Sequence, residues 1–144
     1  LIKTLEFVNG KLHIQAATYS VGVDMRKGTS LSRELIFENI NTFTQTRINV
    51  DSLATPIYPI RLINADKFGI TKDRAWFDKT IDIASLEKGT YAIYVTNKSN
   101  ISDYGELYDL LFTDLSNSKA TINGKQYIFT LNEAKRNRIE LIIK

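Results

Sequence analysis

Two Asn-Gly dipeptides constrain this chain more than any other feature. Leu5-Glu6-Phe7-Val8 and Leu12-His13-Ile14-Gln15 flank Asn9-Gly10, and both arms alternate apolar with polar residues. Asn-Gly supplies the two positive-φ positions of a type I′ turn, the tightest connection between antiparallel strands. The pattern recurs at Asn123-Gly124, with Ala120-Thr121-Ile122 leading in and Tyr127-Ile128-Phe129-Thr130 leading out. Two hairpins are therefore predicted, one near each end of the sequence.

Between them run short β-branched or aromatic segments: Ser30 to Glu38, Gln45 to Val50 and Ile57 to Ile63. Pro56 and Pro59 suit a strand entry or an edge, because proline cannot donate a ladder hydrogen bond. In Thr80 to Thr96, Ile81 and Ile83 alternate with polar residues, Leu86 marks a short turn, Gly89 ends it, and Tyr91, Ile93 and Val95 share one face. That reads as strand, one-turn crossover, strand. The spelling Leu86-x-x-Gly89-Thr90-Tyr91 resembles the corner of immunoglobulin-like and fibronectin-like sandwiches, where a tyrosine ties the crossover to the sheet. Ser102 to Leu115 is ambiguous, since Leu107, Leu110 and Leu111 fit a short helix near 103–111 as well as a bulged strand. A polar turn at Asn132 to Asn137 precedes a last strand in which Ile139, Leu141 and Ile143 face inward. The expected fold is all-β: one immunoglobulin-like antiparallel β-sandwich of about nine or ten strands.

The length of 144 residues suits a single domain with its own core. The first residue is Leu1 rather than Met and the last run is strand-like, so residues 1–144 are expected to form one module of a larger protein. Hydrophobic content of 43 % with 24 % charged residues predicts a folded chain. No apolar stretch approaches the ~18 residues that span a bilayer as a helix, so the chain is expected not to cross a membrane.

Composition also narrows the chemistry. With no cysteine there is no disulfide, thiolate nucleophile or cysteine-based zinc site. Asn97-Lys98-Ser99 and Asn100-Ile101-Ser102 match the N-glycosylation pattern, which short polar loops also produce by chance. A net charge of +3 favours anionic partners mildly, while the scattered cations and the absence of an aromatic-interleaved basic motif argue against nucleic acid. His13 is the only histidine and has no partner at ligand spacing, so a structural or exposed role is expected. No serine sits in a nucleophile elbow, and the seven glycines form no phosphate loop. Asp66, Asp73 and Asp78 are interleaved with Lys67, Lys72, Arg74 and Lys79 and read as a solvated loop. Asp103, Glu106, Asp109 and Asp114 have acidic density but not the spacing of a calcium loop. No catalytic residue, cofactor or metal is expected.

Binding candidates come from aromatic and cationic side chains. Trp76 has two readings: a buried side chain capping the sandwich, the commoner fate of tryptophan, or an exposed platform for a sugar ring, with Arg74 beside it to pair with hydroxyls or phosphate. Tyr94, Tyr104 and Tyr108 would extend such a surface, although Tyr94 also suits simple decoration of its strand. Arg26 and Lys27, in the loop Gly22 to Gly28, could meet an anionic polymer, and Arg33 and Arg47 could continue that basic surface.

Val8-Asn9-Gly10-Lys11-Leu12-His13-Ile14-Gln15, then Gly22-Val23-Asp24-Met25, then Leu35-Ile36-Phe37-Glu38-Asn39 resemble the start of an accessory module found in some Gram-positive wall teichoic acid glycosyltransferases. The resemblance covers mainly the first fifty residues. It implies a β-sandwich that holds a parent enzyme on a cell-envelope glycan or polyol-phosphate polymer, or that assembles subunits, with catalysis elsewhere in the parent. It also implies a bacterial protein, at the cytoplasmic membrane if the parent is such a transferase and at the cell surface otherwise. The ligand-binding set expected from the residues is Arg26, Lys27, Arg74, Trp76 and Tyr94. The alternative is a structural spacer or homo-oligomerisation module.

Overall fold

The computed structural model describes residues 2–17, 31–50, 76–99, 107–110, 119–135 and 138–144. Among them lie ten strands: β1 (Ile2–Val8), β2 (Lys11–Ala17), β3 (Leu31–Asn39), β4 (Gln45–Asn49), β5 (Trp76–Ile81), β6 (Gly89–Ser99), β7 (Leu107–Leu110), β8 (Lys119–Ile122), β9 (Lys125–Asn132) and β10 (Arg138–Ile143), with one 3-10 turn, Glu133–Lys135. They form two antiparallel sheets, β1-β2-β5 and β4-β3-β6-β10-β9-β8, with β7 also paired to β6. The all-β, sandwich-like expectation holds.

Both Asn-Gly hairpins are present. Val8 faces Lys11 across Asn9 (φ 50°) and Gly10 (φ 75°), and Ile122 faces Lys125 across Asn123 (φ 50°) and Gly124 (φ 77°). The Leu107–Leu110 segment, open between helix and strand in the sequence, is extended and pairs with Tyr94 to Asn97 of β6. Pairing to β6 satisfies its backbone groups, which a helix after Gly105 would have had to satisfy alone. The strand predicted at 57–63 lies outside the described residues.

The core forms because inward positions alternate with outward ones along every strand. Leu12, Ile14 and Ala16 of β2 and Phe77 and Ile81 of β5 meet Leu35 and Phe37, Tyr91, Ile93 and Val95, Tyr127 and Phe129, and Ile139, Leu141 and Ile143 of the larger sheet. Burying each of the larger side chains contributes roughly 1.5–3 kcal/mol. Phe7 of β1 closes one side against Tyr127 and Phe129, at ring-centroid distances of 6.0 and 5.6 Å.

The chain passes from one sheet to the other between β5 and β6. There the Tyr91 hydroxyl donates to the Glu87 carbonyl at 2.9 Å, which is the tyrosine corner read from the sequence. The Asp82 carboxylate accepts from Ala84 N–H, and the Lys125 ammonium donates to the Ala84 and Leu86 carbonyls at 3.1 and 3.0 Å. A side chain from the second hairpin thus fastens the crossover.

β6 is unusual in sharing one edge between two strands. Gly89 to Ala92 pair with β10, whereas Tyr94 to Asn97 pair with β7. Its other edge pairs with β3 along nearly its whole length.

Register places the β1–β2 turn, the β3–β4 turn, the crossover and the β8–β9 turn at one end of the sandwich. Asn39 faces Tyr91, Gly89 faces Ile143, Ile143 faces Tyr127, and Leu12 faces Ile81. Ala17, Leu31, Trp76 and Ser99 mark the opposite end. Among the described residues no helix is long and apolar enough to cross a membrane.

Candidate functional site

Of the five expected binding residues, Trp76 and Tyr94 lie among the described residues. Arg26, Lys27 and Arg74 lie outside the described residues. Trp76 is 1 % exposed, and because Phe77 points into the core, Trp76 lies on the other face of β5, beside Ala17 of β2. Its indole has no open face for a sugar ring, so of its two readings the structure supports burial. Tyr94 is half-buried on the outer face of β6.

Arg33 also corrects an expectation. It faces inward and is 1 % exposed, donating from Nε to the Asn97 side-chain oxygen Oδ1 at 2.8 Å, with its guanidinium carbon 5.8 Å from the Phe77 ring centre. It therefore joins the two sheets inside the sandwich and adds nothing to a basic surface. Arg47 is exposed, but its guanidinium is engaged by Glu34 at 3.3 Å and by the Gln45 side-chain oxygen Oε1 at 3.2 Å.

An aromatic ring does stand in solvent, at a position that sequence reasoning missed. Phe43, on the β3–β4 turn, is 73 % exposed. Its backbone has φ 61°, the left-handed region that a bulky side chain avoids and that glycine or asparagine usually fills. The turn is rigidly tied. Asn39 N–H donates to the Thr44 carbonyl at 2.9 Å, and Phe43 N–H donates to the Asn39 carbonyl at 2.8 Å. The Asn39 side-chain oxygen accepts from Asn41 and Thr42 N–H at 2.9 and 3.1 Å, a side-chain cap on an otherwise orphaned turn. The Thr42 hydroxyl donates to that of Thr44, and Ile40 N–H donates to the Thr90 carbonyl of β6 at 3.0 Å.

Gly89 completes this support. A β-carbon there would approach the Asn39 amide nitrogen to 3.0 Å, and the glycine φ of 152° disfavours any L side chain. Absence of a side chain at 89 lets Asn39 reach its capping position.

Polar side chains continue from the turn along the outer face of the hairpin. The Gln45 amide donates to Glu38 at 2.6 Å and accepts from Arg47, which in turn contacts Glu34. The arrangement is therefore one exposed ring, four exposed neighbours (Asn41, Thr42, Thr44 and Gln45), and an ordered ladder of Glu38, Gln45, Arg47 and Glu34. An aromatic face beside amide, hydroxyl and carboxylate groups can pack on apolar C–H groups while exchanging hydrogen bonds with hydroxyls. The sequence signal was a single phenylalanine in Asn39-Ile40-Asn41-Thr42-Phe43-Thr44, a polar link between two strands.

Two other surface features offer less. One shallow cleft of about 410 Å³ is lined by Val8, Asn9, Lys11, His13 and Thr80, and one of about 480 Å³ by Lys119, Ala120, Thr121, Gln126, Tyr127 and Ile128. Among the described residues no cluster of three or more His, Asp or Glu side chains could hold a metal ion. No protein-family model, no curated protein and no solved structure matches this chain.

Proposed function

We propose that this domain is a non-catalytic module that binds a bacterial cell-envelope glycopolymer, with Phe43 packing on a sugar ring and the flanking polar residues of the β3–β4 hairpin meeting its hydroxyls. The observation that carries the reading is the Phe43 ring, exposed on a turn that is fully hydrogen-bonded without it. A ring displayed at an unfavourable φ contributes little to folding, so its value lies in what it touches. The cell-envelope assignment comes from the resemblance of the first fifty residues.

Charge on the hairpin favours sugar over phosphate as the contact. Glu34 and Glu38 outnumber Arg47, whose charge Glu34 already engages. A polyol-phosphate backbone would meet net repulsion here, whereas a hydroxylated ring would not.

The test is co-sedimentation of the folded domain with Gram-positive cell walls, before and after teichoic acid removal, across a salt series. Wild type should bind with little salt dependence, and Phe43→Ala should weaken binding roughly tenfold, the scale of one aromatic contact. Equal binding by Phe43→Ala would sink the reading. Steep salt dependence with loss on Arg26→Ala would shift the contact to phosphate and to the loop at 22–28. The rival function is self-association through the same ring at the head of the edge strand β4. Light scattering decides: a concentration-dependent dimer that Phe43→Ala dissolves, without glycan binding, replaces the glycan reading.

A further inference from the structure

The outer face of the three-stranded sheet carries a polar network unrelated to the β3–β4 hairpin. In register, Glu6 of β1, His13 of β2 and Thr80 of β5 form one cross-strand row, and Thr4, Gln15 and Asp78 form the next. His13 is the centre of the first row and reaches the second through Asp78. Its Nδ1 lies 3.1 Å from Glu6 Oε1 and its Nε2 lies 2.9 Å from Asp78 Oδ1. A neutral imidazole has one N–H and one lone pair, so it can donate to only one of these carboxylates. Both contacts at once require the imidazolium.

The two carboxylates are not held equally. Asp78 also accepts from the Gln15 amide at 2.6 Å, and Gln15 is itself oriented by the Thr4 hydroxyl at 3.0 Å. The Glu6 side chain is 46 % exposed, against 36 % for Asp78. Asp78 is thus anchored independently of His13, while Glu6 depends on it.

We propose that His13 is a proton-operated latch on β1: as an imidazolium it ties β1 and β5 to β2 through Glu6 and Asp78, and loss of one proton releases the Glu6 side and loosens β1. The neutral ring keeps its Nε2 proton on Asp78 and turns a lone pair toward Glu6. β1 and β5 are the two outer strands of this sheet among the described residues, so the element released is one of its edges.

The surrounding charges agree. Glu6 faces the ring from β1, Asp78 from β5, and on β2 the neighbour two residues away on the same face is Lys11. The two contacting carboxylates hold the His13 pKa above its ordinary value, the Glu6 hydrogen bond most strongly, with burial opposing and Asp78 adding to the rise. A raised folded-state pKa stabilises the fold fully below the unfolded value of about 6.5, and that stabilisation is lost as pH rises through the folded value.

Because His13 is the only histidine, its ring protons give an unambiguous NMR titration. The midpoint should lie above about 6.5, Glu6→Gln should lower it, and the thermal midpoint of wild type should fall between pH 5.5 and 8.5 more than that of His13→Gln. Hydrogen exchange, corrected for intrinsic rate, should show the β1 amides gaining exposure over that range while those of β5 do not. A titration midpoint at or below 6.5 overturns the latch, as does an equal pH response in His13→Gln. Equal loosening of β1 and β5 also overturns it. Should His13→Gln fail to fold, the Glu6→Gln substitution, at a half-buried side chain, carries the same comparison.

Discussion

The β1–β2 turn and the β3–β4 turn both send the chain through left-handed backbone, but with opposite choices of residue. At the first, Asn9 and Gly10 occupy φ of 50° and 75°, which those residues tolerate at little cost. At the second, Phe43 occupies φ 61° at a cost of roughly 1–2 kcal/mol. The first turn is explained by folding alone. The second is held by Asn39, Thr42, Thr44 and Gly89, which fix the backbone and leave the phenylalanine ring in solvent. Where local chemistry and residue choice disagree, as at Phe43, the backbone conformation is set by the surrounding contacts and not by the residue itself.

The strongest way to break this comparison is at the support of the second turn. Gly89→Ala should destabilise the domain by about 2–3 kcal/mol, from strain at φ 152° and the 3.0 Å approach to Asn39, measured by urea unfolding. Asn39→Ala should cost about 2 kcal/mol, since two N–H groups lose their acceptor. Gly10→Ala at the first turn should cost about 1–2 kcal/mol, the ordinary penalty for an L side chain in left-handed backbone. Phe43→Asn should go the other way, raising stability by about 0.5 kcal/mol through relief of that strain. A destabilised Phe43→Asn would show the ring to be structural and remove the contrast between the two turns.

Regular elements were legible because their determinants are local. Asn-Gly marked both hairpins, period-two alternation identified the inward residues of β6 and β10, and Leu86 to Tyr91 announced the corner that Tyr91 and Glu87 make. The site was less legible because burial is a tertiary property. Tryptophan suits a sugar platform by composition, yet Trp76 is buried opposite Phe77; an isolated Phe43 in a polar link attracts no notice until its exposure is known. Arg33 shows the same limit. Its charge suggested surface, while its place opposite Asn97, on the face that also carries Leu35 and Phe37, put it inside.

The divided edge of β6 also sets an order of assembly. β3 precedes β6 in the chain and β7 follows it after a short link, so both can pair with β6 before β10 is made. The stretch from Gly89 to Ala92 must wait for β10, the last strand in the order. Until then Ile139, Leu141 and Ile143 are missing from the core, and a short backbone edge at the foot of β6 lies open. A chain at that stage is a half-built sheet with an unpaired backbone edge.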